Sequence, residues 1–177
     1  DHIGVDLYGG SLDATRHLLS IGCKRVAYAG NQDYLHEEDR RFAAYARAIR
    51  EFHGEPILIP LDEGDYDAGY RAVLKHVVPG DHPDGIFCWN DEVAIGAIRA
   101  LAELGLRVPE DVAVIGSDGI RETAYCQPTI STVAQPFIEM FSLVGSYLQR
   151  RWQEPDLPIQ GTLLPMRLIQ RASTARP

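Results

Sequence analysis

Arg41, Tyr66, Trp89, Asn90, Asp91, Ser117, Asp118 and Gln135 share a position in the sequence pattern. Each falls in a stretch that links a short β-rich run to the element after it. Together they offer a guanidinium, carboxylates, side-chain amides and aromatic faces. Such groups hydrogen-bond a polyhydroxyl ligand and stack against its apolar ring face. Plainer roles compete for some of them. Asn90, Asp91 and Asp65 can cap helices, and Arg41 can pair with Glu37 or Glu38 on the surface. Catalytic readings find little support. No GxSxG elbow, GxxxxGK[ST] loop or GxGxxG run is present. His36 lies beside Glu37, Glu38 and Asp39, where acids at a helix start serve the helix dipole. His17, His53, His76 and His82 have neither ligand spacing nor a paired nucleophile. The residues point to binding rather than turnover, with no catalytic, metal or cofactor site.

The elements that must position these groups follow from periodicity. HIGVD at 2–6 reads as a strand, followed by a Gly-Gly turn and a helix over 11–21 capped by Ser11 and stopped at Gly22. Strands follow at 25–30, 56–60, 85–89, 111–116 and 129–133. Helices are expected near 39–53, after Asp65 or Asp67, over 91–104 behind Asn90 or Asp91, and over 136–152. Two extended pieces surround LPMRLI near the end. This β-α-β-α order gives an α/β fold with a mostly parallel sheet covered on both faces. Ligands of such sheets bind outside the carboxyl ends of the strands, which gathers the eight residues onto one rim. The helix over 91–104 is apolar nearly all round. Its second stripe requires either a subunit interface or neighbouring helices of the same chain.

The 177 residues suit one domain or two small lobes, and 45% hydrophobic with 24% charged residues is a globular composition. A formal charge of -8 disfavours both an anionic substrate and a direct grip on a phosphate backbone. Cys23, Cys88 and Cys126 are widely spaced and odd in number, which fits a reduced cytoplasmic protein better than a disulfide framework. No apolar run reaches membrane-spanning length, so no membrane partner is expected. The chain opens on a strand already under way, as the later part of a longer chain would.

Several segments, in order, resemble the effector-binding domain of the lac repressor family of bacterial transcriptional regulators. They are VDLYGG with ATRHLLSIGCKRVAYAG, R-x-x-A-Y-x-x-A-I at 41–49, EGDYDAGY at 63–70, IFCWNDEVAIGAIRALAELGLRVPEDVAVIGSDGI, PTISTVAQP and LLPMRLIQRAST. The sequence departs from the family with Gly22-Cys23 for its glycine-histidine, and Asp118-Gly119 for its paired aspartates. The resemblance implies a two-lobed fold like that of periplasmic sugar-binding proteins, with a sugar or sugar-derivative effector between the lobes. It places ligand contacts on Arg41, Tyr66, Asn90, Asp118, Gln135 and Tyr8. The apolar helix over 91–104 favours a homodimer formed through it, and the resemblance implies operator DNA bound only through a head domain that precedes this segment. On this reading residues 23–134 form the complete C-terminal lobe. Residues 1–22 and 135–160 are pieces of the N-terminal lobe, and 161–177 are C-terminal strands and tail. A sugar-binding protein of a transport system is the alternative with the same fold.

Overall fold

The structure, a computed structural model, describes residues 1–31 and 40–176. The chain runs β1 (His2–Asp6), α1 (Leu7–Ser20), β2 (Val26–Asn31), α2 (Arg40–Glu51), β3 (Ile57–Leu61), α3 (Tyr66–His76), β4 (Gly85–Cys88) and α4 (Asp91–Glu103). It continues with β5 (Ala113–Asp118), a 3-10 turn (Arg121–Ala124), β6 (Ser131–Ala134), α5 (Phe137–Gln153), β7 (Gly161–Pro165), β8 (Arg167–Ile169) and a second 3-10 turn (Ala172–Thr174). The main sheet has six strands in the order β3-β2-β4-β5-β6-β8, all parallel except the last. β1 and β7 form a separate parallel pair. The expected α/β architecture with a mostly parallel sheet is therefore present.

Alternation along the strands divides the apolar residues between two cores. Ala27, Ala29, Ile86 and Cys88 point to the face covered by α3 and α4. Val26, Tyr28, Phe87 and Ile115 point to the face covered by α1 and α2. On the second face Tyr28, Phe42, Tyr45 and Phe87 pack with ring centroids 5.4–5.9 Å apart, Tyr28 and Tyr45 stacked and the other pairs tilted. The Tyr45 hydroxyl reaches the edge of the sheet, accepting from the Ile57 N–H at 2.8 Å and facing the Val26 carbonyl at 2.8 Å.

Two expectations are corrected at α1. The helix begins at Leu7 rather than residue 11, because Asp6 is its cap and accepts from the Gly9 N–H at 2.9 Å. Gly9 and Gly10 are helical, not a turn, and a Cβ on Gly10 would lie 2.5 Å from the Met166 sulfur. Close packing, not backbone freedom, requires glycine there. The helix was also expected to belong to a second lobe. It instead buries Ala14 and Leu18 in the core with Tyr45 and Phe87, so it packs on the main sheet. β8, from the tail, joins the same sheet beside β6. α5, β1 and β7 stand apart. α5 turns Met140, Leu143 and Tyr147 inward, with Tyr147 hydrogen-bonded to Thr162, and leaves Phe141, Leu148 and Trp152 exposed.

α4 settles the choice its sequence left open. Val93, Ala94, Ala97, Ile98, Ala100 and Leu101 are buried within the chain, against the sheet and α3. The two helices cross at glycines: a Cβ on Gly69 would meet the Val93 carbonyl oxygen at 2.4 Å, and one on Gly96 the Tyr66 carbonyl oxygen at 2.0 Å. Neighbouring elements of the same chain thus cover the second apolar stripe. What α4 still shows outside is narrow: Arg99, Ala102 and Glu103 are exposed, and Glu92 and Ile95 are half-buried.

The crossing yields a prediction with opposite signs at two helical glycines. Replacing an exposed helical glycine by alanine gains about 1 kcal/mol from backbone propensity. At Gly145 of α5 nothing lies within 4 Å of an added Cβ, so Gly145→Ala should stabilise by about 0.5–1 kcal/mol in urea denaturation. At Gly96 the added methyl must push two backbones apart. Overpacking of this kind costs about 1–3 kcal/mol or more, so Gly96→Ala should destabilise. A stabilised Gly96→Ala variant would show that the helices are not in close contact.

Candidate functional site

The order β3-β2-β4 means that the chain leaves β2 in one direction and returns to its other side. The topological switch point lies between β2 and β4, and the crevice past their carboxyl ends is where such a sheet can receive a ligand. Four side chains meet there. Arg41 enters from the first turn of α2, Trp89 follows β4, Asp118 ends β5 and Gln135 follows β6. The Arg41 guanidinium lies 3.6 Å from Asp118 Oδ1 and 5.9 Å from the centre of the Trp89 ring. The Gln135 Nε2 donates to Asp118 Oδ1 at 2.7 Å. The Gln135 backbone N–H donates to the Asp118 carbonyl at 3.0 Å, continuing the β5–β6 ladder.

The cluster is partly open to water. The side chains of Arg41 and Asp118 are 15% and 26% exposed, enough to be reached by a ligand yet sheltered enough to strengthen its hydrogen bonds. Burial pushes the Asp118 carboxyl above the usual range, opposed by the Gln135 hydrogen bond and the Arg41 charge. Asp118 also has φ of +110°, a conformation that costs a non-glycine residue about 1–3 kcal/mol and concentrates at functional positions.

Behind the rim stands Asp91. Sequence reasoning placed it as a helix cap, but Asn90 is the cap of α4, with Oδ1 accepting from the Val93 N–H at 2.8 Å. Asp91 is 0% exposed. Its Oδ2 accepts from the backbone N–H groups of Gly119 at 2.7 Å and Ile120 at 2.8 Å. Burial raises its carboxyl from 3.8 to about 6, against the downward pull of the Thr132 hydroxyl and the Ile120 and Gly119 N–H groups; nearby Asp118 adds a smaller upward push. Asp65 is a cap as expected, accepting from the Ala68 N–H at 2.7 Å.

Of the six expected contacts, Arg41, Asp118 and Gln135 come together. The structure gives the other three different contacts. Both ends of the Asn90 amide are engaged: Oδ1 caps α4, and Nδ2 donates to the Gly64 carbonyl at 2.6 Å. Tyr66, 41% exposed, lines a separate hollow of about 510 Å³ with Ile95, Arg121 and Tyr125. The Tyr8 hydroxyl accepts from Arg47 Nη1 at 3.2 Å, on α2 but away from its first turn. Trp89 was visible on the rim but was not among the expected contacts, and the structure sets it against Arg41. The suggested partners Glu37 and Glu38, the loop residues 32–39 and the cluster around His36 lie outside the described residues.

A family model described as the periplasmic binding protein-like domain matches residues 15–174. The chain belongs to the periplasmic binding protein-like domain family. Its expected kinship with lac repressor family regulators is borne out by the relatives it matches. It is 33% identical over 184 residues to the HTH-type transcriptional repressor MelR of Bacillus subtilis (strain 168), covering 98% of this chain and 52% of that protein. A LacI family transcriptional regulator from Enterococcus faecium, solved with bound ribose, is 30% identical with a TM-score of 0.89, covering 99% of this chain and 65% of that one. A LacI family regulator from Arthrobacter sp. FB24, in complex with lactose, is 29% identical with a TM-score of 0.87, covering 97% of this chain and 64% of that one. The chain spans about half the length of the curated relatives it matches.

The buried Asp91 makes a signed prediction for this periplasmic binding protein-like domain. A carboxyl whose folded value is raised is costly to ionise in the folded state. Its stabilising share is complete below the unfolded value of 3.8 and is lost as pH rises through about 6. The full swing is about 3 kcal/mol. Asp91→Asn removes the titration while keeping an acceptor oxygen. Urea denaturation should therefore show the variant gaining on the native chain between about pH 4 and pH 7. A difference that is flat in pH, or runs the other way, would contradict the raised value.

Proposed function

We propose that this chain is the effector-sensing module of a DNA-binding transcriptional regulator, and that it acts by binding a small sugar or sugar derivative without turning it over. The observation that carries the reading is the convergence of Arg41, Asp118 and Gln135 beside Trp89 at the switch point. A guanidinium and a carboxylate are complementary to ligand hydroxyls as acceptors and donors, and an indole face suits the C–H face of a sugar ring. The ribose and lactose held by similar regulators support that ligand class. Among the described residues no His, Cys, Asp and Glu cluster suits a metal ion, and no helix is long and apolar enough to cross a membrane. The regulator names of the relatives favour a cytoplasmic protein that reaches operator DNA through a separate head.

Further chain completes the cleft in this reading. The apolar stripe of Phe141, Leu148 and Trp152 on α5 and the free edges of the β1–β7 pair are surfaces that a second lobe would cover. Because α3 and the sheet cover most of α4, the dimer contact we propose moves outward. It comprises Ile95 and Arg99 of α4 with Tyr66, Arg121 and Tyr125, the last 75% exposed. Aromatic residues and arginine are the types that dominate protein interfaces.

A thermal-shift screen of the full-length protein against ribose, lactose and a wider sugar panel tests the ligand class. Saturation at about 100 times Kd adds roughly 2.7 kcal/mol of stability, a shift of several degrees. Arg41→Ala and Asp118→Ala should each abolish the shift of any sugar found, and full retention in both would refute the site. Sedimentation tests assembly separately. Tyr125→Asp combined with Ile95→Asp should yield monomers that keep ligand binding, and an intact dimer would rule out this face. The 177-residue chain alone should bind a surface dye through α5, and a monomer that binds none would argue against the missing cover.

A further inference from the structure

We infer that Asp91 is the positioning residue of the rim: it holds both N–H groups behind Asp118 and so aims the Asp118 carboxylate at Arg41 and Gln135. Ligand affinity then depends on a side chain that no ligand touches. The inference rests on the proposed reading of the rim as a ligand site.

The geometry supplies the argument. Asp118 and Gly119 both have positive φ, +110° and +80°. Successive residues in unusual turn conformations direct neighbouring N–H groups into one concavity that accepts an anion. Here the protein supplies that anion itself, since Gly119 and Ile120 donate to the same oxygen, Asp91 Oδ2. Such charge-assisted bonds are shorter and stronger than neutral ones, and they offset the strain stored at Asp118. The surrounding glycines make the close approach possible. A Cβ on Gly116 would lie 2.2 Å from Asp91 Oδ1, and one on Gly119 would lie 2.5 Å from the Ala134 Cβ. Glycine at 116 makes room for the strut, and glycine at 119 lets the turn lie against β6.

The same helix end sets the neighbouring loop. Asn90, one residue earlier, holds the Gly64 carbonyl at 2.6 Å. A Cβ on Gly64 would come 2.9 Å from the Trp89 ring, so that loop lies directly against the indole. The two residues that open α4 therefore fix the carboxylate on one side and the aromatic surface on the other. Past Ile120 the chain is pinned again, where Arg171 Nη1 donates to Thr123 Oγ1 at 3.0 Å. The turn is held at both ends, and in its middle Asp91 takes the Gly119 and Ile120 N–H groups while the Thr123 hydroxyl donates to the Ile120 carbonyl at 2.6 Å.

Three variants of the full-length protein test this by hydrogen exchange of the 117–125 segment and by calorimetric titration with ribose and lactose. Asp91→Asn keeps an acceptor oxygen and should stay within a few-fold of native in both readouts. Asp91→Leu keeps the size and loses the acceptor. It should exchange the 119 and 120 amides about tenfold faster or more and weaken sugar binding by a similar factor. Ile120→Pro removes one donor while leaving Asp91 in place. Ile120 has φ of -65°, which proline accepts, so this variant should fold and lose affinity partway. Equal damage from Asn and Leu would reduce Asp91 to a space-filler and overturn the inference, as would native-like exchange and affinity in Ile120→Pro. The exchange arm needs no ligand. If it behaves as expected while neither sugar binds native protein, the ligand reading has failed and the strut stands; unchanged exchange in Leu and Pro sinks the strut alone.

Discussion

The carboxylate of Asp91, sealed beneath the rim and bonded to two consecutive backbone N–H groups, is the contact on which the candidate site depends. A buried carboxylate without partners would be strongly unfavourable. This one is tolerated because a turn of unusual backbone conformation presents two donors to a single oxygen. In return the turn has a defined shape, although its first residue, Asp118, is not a glycine. The cost of burial survives as a raised carboxyl value. Helix α4, the end of β5 and the rim are consequently one mechanical unit.

That unit explains why the site lies where it does. Strand order puts the switch point between β2 and β4, and the loops diverge there. Arg41 arrives from one side of the divergence, Trp89 from the other, and Asp118 and Gln135 from the next two strands. The glycines at 69 and 96 let α3 lie directly on α4, so the helix behind the site is clamped from outside as well. A rigid scaffold carrying a half-exposed polar cluster is how α/β sheets support binding.

Much of this was legible in the order of residues. The alternation in RVAYAG, GIFCW and DVAVIG marked buried strands, and the acids and amides after them marked the rim. Strand edges shifted by one or two residues, since turns take their ends from hydrogen bonds formed with other segments. The start of α1 was misplaced because Gly-Gly signals a turn locally, whereas here glycine answers the pressure of Met166, which is more than 150 residues away. The wide apolar surface of α4 left two explanations standing, and packing against α3 decided between them.

The site divides the same way. Sequence by itself determined the α/β class and the set of polar residues that follow the strands, because these depend on local periodicity and on side-chain chemistry, and its ordered segments carried the family resemblance. Only the tertiary structure decided which of those groups meet. Asn90 was spent on Gly64 and the α4 cap, Tyr66 lines a hollow with Tyr125, and Asp91 was moved from cap to strut. Each outcome turns on donors and surfaces supplied by distant segments, and no spacing within one stretch encodes where those will lie.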